Sequence, residues 1–424
     1  MNVFTALCLI TALLCTTSAR GAEGGTSSAI DAYLQPYVES NNFSGSILVR
    51  KNAEVLFEKS YGLADREQNT PNTKSTRFHI ASISMQFTAA AVLRLIDDGK
   101  LTFDSSVGEF LPQTRGAEKI TVRDLVVERS GLSDINDLPG YDKLLQRHQT
   151  PSSLVARISG EPLLFEPGSK FLHEEHSAYN LLALILEKKT GLPFADAMKK
   201  LVFQPMRLDS SFVDDDSNVG ANEMARGYQP LGVSDLEPAP ALHWSAKTGN
   251  ASVCTTVEDE DRWVDGLFRK HSLGEAALDT ISNAPDGIGY GWFNRASKRF
   301  KEVAFYMNGR APGFASFILY LPKEKLTVIA MSNIYSSATT DIGYDIGAIA
   351  LGLPHDVFRP AKALSPHEIK AYTGSVQFGP DFYQKNAKLE LTAIGNGLSL
   401  RWPSGELSPL IPTDQDHFID RNYW

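Results

Sequence analysis

Residues Phe78-His79-Ile80-Ala81-Ser82-Ile83-Ser84-Met85-Gln86-Phe87-Thr88-Ala89-Ala90 carry a short apolar run straight into a helical pattern. The pattern continues through Leu93, Leu95 and Ile96 and stops near Gly99, the three-to-four-residue interval of one buried helix face. A loop rich in Asp, Asn, Thr and Pro precedes it from Ala64 to Thr76. Ser82 therefore opens a helix. Serine in that place is a common N-cap. It can also serve as a nucleophile, but a hydroxyl is weakly nucleophilic at neutral pH and needs a neighbouring base to take its proton.

Working outward, a helical pattern runs from Ile30 to Val38. The apolar runs Gly45 to Val49 and Val55 to Phe57 flank the polar turn Arg50 to Glu54, which reads as a β-hairpin. From Thr121 to about Met206 the text is mostly helical, and a loop-rich stretch follows to Gly249. A helix is expected over Val257 to Phe268, then strands at Tyr290 to Phe293, Phe314 to Tyr320 and Leu326 to Met331, and a last helix from Asp341 to Ala350. Strands at both ends with helices between predict an α+β fold: one antiparallel sheet built from both ends of the main domain, with flanking helices and a mostly helical insertion. That domain is expected over residues 28–358. Beyond Pro360 the composition shifts to a short helix at His367 to Tyr372 and the alternating segments Leu389 to Ala393 and Leu398 to Trp402, joined by Gly395-Asn396-Gly397. Residues 364–424 thus read as a small C-terminal β domain.

Hydrophobic residues make up 42% of the 424-residue chain and charged residues 21%, a globular composition with room for a large core. The formal charge of −9 comes without any run of Lys and Arg longer than a pair, which argues against nucleic acid as a partner. The apolar run Val3 to Cys15, followed by small residues at Ser18, Ala19, Gly21 and Ala22, reads as a signal peptide over residues 1–22. It falls short of the ~18 residues a bilayer span needs, so the expectation is an exported, periplasmic or secreted protein with no stable membrane span once the signal is removed. Cys8 and Cys15 lie in that run and leave only Cys254, too few for a disulfide or a Cys-based metal site. No metal or cofactor is expected, and nothing in the sequence sets an oligomeric state.

The nucleophile-like segment resembles that of the class C β-lactamases and their esterase and D-alanyl-D-alanine carboxypeptidase relatives in the serine β-lactamase and penicillin-binding-protein superfamily. Other segments agree in order: Gly99-Lys100-Leu101 with Phe110-Leu111-Pro112, Ile120 to Leu125, Ser130-Gly131-Leu132, Pro167 to Phe171 with Tyr179 to Leu182, Cys254 to Asp259, Pro312-Gly313-Phe314 and Met331-Ser332-Asn333. The resemblance covers about residues 28 to 355. The tail from about Leu364 is similar to the small β-barrel-like domain often appended in this superfamily, and it stops at Trp424, earlier than such domains usually do.

The resemblance implies that Ser82 occupies the nucleophile position. It also implies a Lys base three residues on, one helical turn away, where this chain has Met85. The family's Tyr-x-Asn loop corresponds to Leu172 to Tyr179, which is one residue longer. Counting from one side puts Glu174 and His176 at the Tyr and Asn positions, and counting from the other puts His173 and Glu175 there. The Lys/His-x-Gly strand motif becomes Met307-Asn308-Gly309. Its charge is gone, but Gly309 and the N–H of Arg310 are expected to complete an oxyanion hole with the N–H of Ser82. Met85 and Met307 are expected on apolar walls of the cleft. Arg310 is expected either as an exposed strand residue or as a contact for a carboxylate ligand, and Cys254 as a buried, inert thiol beside a helix start.

Each missing acid/base group typically costs ~10²–10⁴-fold in rate. The reading is therefore an exported serine-hydrolase-like protein that is hydrolytically inactive or severely impaired and binds a peptide, cell-wall-like or acyl-type small-molecule ligand. The alternative is an active ester or amide hydrolase in which His173 or His176 deprotonates Ser82 while a Glu of the same loop orients it. A third reading is an interaction protein working through the β domain with the cleft closed. A metal site at His173-Glu174-Glu175-His176 lacks the helical spacing of zinc proteases and is set aside.

Overall fold

The computed structural model describes residues 25–422 except 173–174, 218–222, 360, 380–385, 396, 403–404 and 415–416. The signal-peptide reading over residues 1–22 lies outside the described residues, as do His173 and Glu174. A seven-stranded antiparallel sheet runs in the order Ile288–Gly289, Trp292–Ser297, Glu302–Ala311, Phe314–Leu321, Leu326–Ser332, Gly45–Lys51, Glu54–Tyr61. The two ends of the main unit meet where Gly45–Lys51 pairs with Leu326–Ser332, from Gly45 opposite Ser332 to Lys51 opposite Leu326. Phe314–Leu321 and Leu326–Ser332 are buried at every position, which is why they read as unbroken apolar runs.

One face of the sheet carries helices Thr26–Glu39 and Ala338–Ala350. They bury Ile30, Leu34, Ile342 and Ile346 against Ile47, Val49, Phe317 and Val328. Gly343 lets the second helix approach closely, because a Cβ there would collide with the Phe317 ring. The other face packs helix Ser84–Asp97, which in turn packs against helix His176–Thr190 of the helical insertion. The mixed helix and antiparallel-sheet class expected from the sequence is the observed one.

The expected strand Tyr290 to Phe293 is instead a tight hairpin. Tyr290 (φ +58) and Gly291 (φ +74) form its two-residue turn, and Ile288 and Gly289 pair with Phe293 and Trp292. Strand Glu302–Ala311 alternates between buried and more exposed positions and was not legible as a strand from apolar content. Helix Val257–Val264 packs against the strands Gly45–Lys51 and Leu326–Ser332 and continues through Arg269 as a wider turn.

The strands Gly374–Gln377, Lys388–Ile394, Gly397–Arg401, Leu407–Asp414 and His417–Asp420 form a second antiparallel sheet around Leu389, Leu398, Leu400 and Leu410. Just past its last strand, Arg421 is fully buried. Its guanidinium donates to Asn42 Oδ1 (2.9 Å) and to the carbonyls of Asn41 (2.9 Å), Gly232 (2.8 Å) and Asp235 (2.9 Å), keying this sheet to the main unit.

Glu260 on helix Val257–Val264 is buried at 0% exposure, and neither carboxylate oxygen has a hydrogen-bond partner among the described residues. Burial, reinforced by Asp259, pushes its carboxyl up to about 8 from an ordinary 4.5. The unfolded chain ionises at the lower value and the folded chain at the higher, so this group weakens the fold progressively as pH rises across that window. Glu260→Leu is expected to raise stability by ~1–3 kcal/mol, the cost of an unsatisfied buried polar group, with a larger gain near pH 8 than near pH 5. Urea denaturation at the two pH values measures it, and an equal or smaller gain at pH 8 contradicts the assignment.

Candidate functional site

Ser82 lies in the tight turn Ala81–Ile83 that opens helix Ser84–Asp97. Three contacts fix the turn from two sides. Ser316 Oγ donates to Ile80 O (2.7 Å), Ile80 N donates to Val253 O (3.1 Å), and Val253 N donates to Ser84 Oγ (3.0 Å). Ala81 adopts φ +50, a left-handed conformation that costs a non-glycine residue on the order of 1 kcal/mol and persists only where the surroundings impose it. The backbone of Gly309 runs against this turn. A Cβ there would collide with Ile80 O and come within 3.1 Å of the Ser82 amide nitrogen. Backbone at position 309 thus lies beside the Ser82 N–H, where an oxyanion would be held.

Ser82 opens onto a cavity of about 400 Å³ lined by Asn136, His176, Lys247, Asn250, Asn308, Arg310 and Tyr335 among others. Neither methionine joins that lining. Met85 is buried at 0% exposure and Met307 at 4%, both in the main apolar core, which corrects the expectation that they form cleft walls. Met85 packs among the apolar residues of the main core, a setting that suits a thioether.

The four-residue loop candidate divides. His176 begins helix His176–Thr190 and lines the cavity. Glu175 is instead fully buried, accepts from Ser130 N (3.1 Å) and does not line it. Burial pushes the Glu175 carboxyl up to about 8 against the opposing hydrogen bond from Ser130. The acid that meets His176 comes from elsewhere: Asp134 Oδ2 lies 3.0 Å from His176 Nδ1 and accepts from its backbone N–H (2.8 Å). Burial raises the Asp134 carboxyl, but the hydrogen bond and charge of His176, with the Asn136 amide, more than offset this and hold it below the ordinary carboxylate range. Asn136 Nδ2 also lies 3.0 Å from Nδ1, so that nitrogen meets a carboxylate acceptor and an amide donor together. No hydrogen bond joins Ser82 Oγ to a side chain among the described residues.

Two cations complete the cavity. Lys247, 9% exposed, ends the short helix Trp244–Lys247 and places its ammonium 4.9 Å from the Tyr141 ring centre. Arg310, on strand Glu302–Ala311, lies over Tyr335 at 4.2 Å. The segment after Lys247 is pinned by Asn180 Nδ2 donating to Thr248 O (2.7 Å) and Thr88 Oγ1 donating to Gly249 O (2.7 Å). Asp134, Asn136, Lys247, Asn250 and Tyr335 were not foreseen in the sequence, because they come from three separate connecting segments and none has a spacing signal. Glu175 and the two methionines, singled out there, are packing residues.

A serine held at a helix start beside a sheet edge, facing a polar cavity between sheet and helical insertion, is the arrangement of a serine acyl-transfer fold. The sequence profile of the Beta-lactamase family matches residues 30–350, and the chain belongs to that family. It is 24% identical over 323 residues to "Protein flp" of Staphylococcus aureus (strain MRSA252), covering 72% of this chain and 63% of that protein. It is 26% identical over 348 residues to "D-aminopeptidase" of Brucella anthropi, covering 77% and 63%. The chain therefore spans 63% of the length of these relatives. Among solved structures, a penicillin-binding protein from Bacillus halodurans superposes with TM-score 0.64 at 23% identity, covering 76% of this chain and 98% of that one. The octameric penicillin-binding protein homologue from Pyrococcus abyssi gives TM-score 0.69 at 21% identity, covering 91% and 90%. These likenesses are of fold.

Gly309→Ala is expected to displace the Ser82 turn and cost ~1–3 kcal/mol of stability, the usual range for overpacking. A thermal-denaturation midpoint indistinguishable from that of the unaltered protein contradicts the close approach described.

Proposed function

We propose that the Ser82 cavity binds, and does not efficiently turn over, a carboxylate-bearing acyl ligand such as a short peptide or cell-wall-like fragment. The observation that carries this reading is the core position of Met85: the helix turn facing Ser82 offers no group that can accept its proton. Lys247 and Arg310 in the same cavity supply the positive charge that a carboxylate pairs with. The backbone beside Ser82 keeps donors suited to an acyl oxygen, a function that does not depend on side chains. Calorimetric titration with an N-acetylated dipeptide is expected to show binding, to return the ligand intact, and to weaken by about tenfold in Arg310→Gln, the loss of one charge-assisted contact. Hydrolysis of the ligand, or the same affinity in Arg310→Gln, contradicts the reading.

The contact between Asp134 and His176 supports a second reading, in which His176 serves Ser82 as base in a Ser-His-Asp order. In that case Ser82-dependent ester cleavage falls by at least ~10²-fold in His176→Ala, and unchanged cleavage removes the possibility. Met85→Lys is expected to restore neither activity nor fit, since it buries an ammonium in the apolar core.

The apolar run Val3 to Cys15 supports an exported protein, periplasmic or secreted. No helix among the described residues is long and apolar enough to cross a membrane.

A further inference from the structure

Behind the nucleophile turn, a three-stranded sheet joins Phe78–His79, Val253–Thr255 and Phe212–Val213. His79 pairs with Cys254, and Cys254 pairs on its other side with Phe212. Asp214, one residue beyond the third strand, is held by its N–H on Ser252 O (2.7 Å). This register brings a ring nitrogen of His79, a carboxylate oxygen of Asp214 and the sulfur of Cys254 within 4.8 Å of one another. Three segments far apart in sequence supply one nitrogen, one oxygen and one sulfur ligand. No motif spacing could have disclosed them.

We propose that His79, Asp214 and Cys254 hold a divalent transition-metal ion, Zn²⁺ by the character of the donors. The set is wrong for Mg²⁺ or Ca²⁺, which take oxygen ligands, and suits a borderline ion that accepts imidazole, carboxylate and thiolate together. Zinc bonds of ~2.0–2.3 Å place tetrahedral ligand atoms ~3.3–3.8 Å apart. His79 Nε2 and Asp214 Oδ2 are 2.9 Å apart, so small side-chain shifts seat the ion. A second observation stands apart from the clustering. His79 is 5% exposed, and its buried Nδ1 has no hydrogen-bond partner among the described residues, an uncommon state for an imidazole walled in by Trp244, stacked at 3.6 Å, and Phe314 at 5.0 Å. Nε2, on the Asp214 side of the ring, is the nitrogen placed to meet the ion. The Asp214 side chain, 14% exposed, leaves a path for entry and for a water as fourth ligand. The ion would tie together the strand leading to Ser82, the strand bonded to Ile80 and Ser84, and, through the Trp244 stack, the short helix that ends at Lys247. This inference does not depend on whether Ser82 is acylated.

The test uses the full chain stripped with a chelator, with Co²⁺ added to the native protein and, separately, during refolding. Thiolate-to-cobalt charge-transfer absorption in the near ultraviolet, with visible bands of a four-coordinate ion, is expected to saturate near one equivalent and to disappear on adding Zn²⁺. The charge-transfer band should be lost in Cys254→Ala while the far-ultraviolet circular dichroism is kept. Asp214→Asn, expected to weaken Co²⁺ binding, gives the same test should Cys254→Ala not fold. Absence of the band in the unaltered protein under both conditions, or its persistence in Cys254→Ala, overturns the proposal.

Discussion

The approach of the Gly309 backbone to the Ile80–Ser82 turn is the constraint on which the site depends. It works only with a hydrogen in place of a side chain, and it fixes the distance between the sheet edge and the start of helix Ser84–Asp97. Ser316 and Val253 clamp the same turn from neighbouring strands, and their contacts sustain the left-handed conformation of Ala81. All of this is backbone geometry or a hydroxyl contact, from Ser316 and Ser84. The frame that would hold an acyl oxygen can therefore persist in a chain whose Lys-position side chain has become a core methionine.

The electrostatics of the cavity point the same way. Two cations and several amides are among its lining, and Asp134 sits on His176, whose hydrogen bond and charge hold its carboxyl below the ordinary range. Such a cavity matches the carboxylate-bearing ligand we propose. Efficient acylation of Ser82 would additionally require a base in hydrogen-bond reach of its hydroxyl. The His176 and Asp134 pair supplies the right groups, and reach to the Ser82 hydroxyl is what tells a catalytic cavity from a ligand-binding one.

Much of the fold was legible because burial on both faces leaves unbroken apolar runs in Phe314–Leu321 and Leu326–Ser332, and because helix Ser84–Asp97 repeats at helical spacing. Strand Glu302–Ala311 hid behind its alternating burial, and the Tyr290–Gly291 turn behind two aromatic neighbours. Ser82, Gly309, Arg310 and His176 could be picked out because family motifs run through them. Asp134, Lys247 and Asn250 could not, since they reach the cavity from loops whose positions are set by tertiary contacts such as Asn180 on Thr248 and Thr88 on Gly249. Glu175 and Met85 drew notice for chemistry and turned out to be buried. Pattern shows residue type there but not the direction in which the side chain points.

The most direct measurement is the intact mass of the purified protein after exposure to a fluorophosphonate and, separately, to a penicillin, with Ser82→Ala as the reference. The account expects folded protein with unchanged mass in both cases. A Ser82-dependent adduct with either reagent would contradict it, showing that the hydroxyl is still activated and that the cavity carries out acyl transfer.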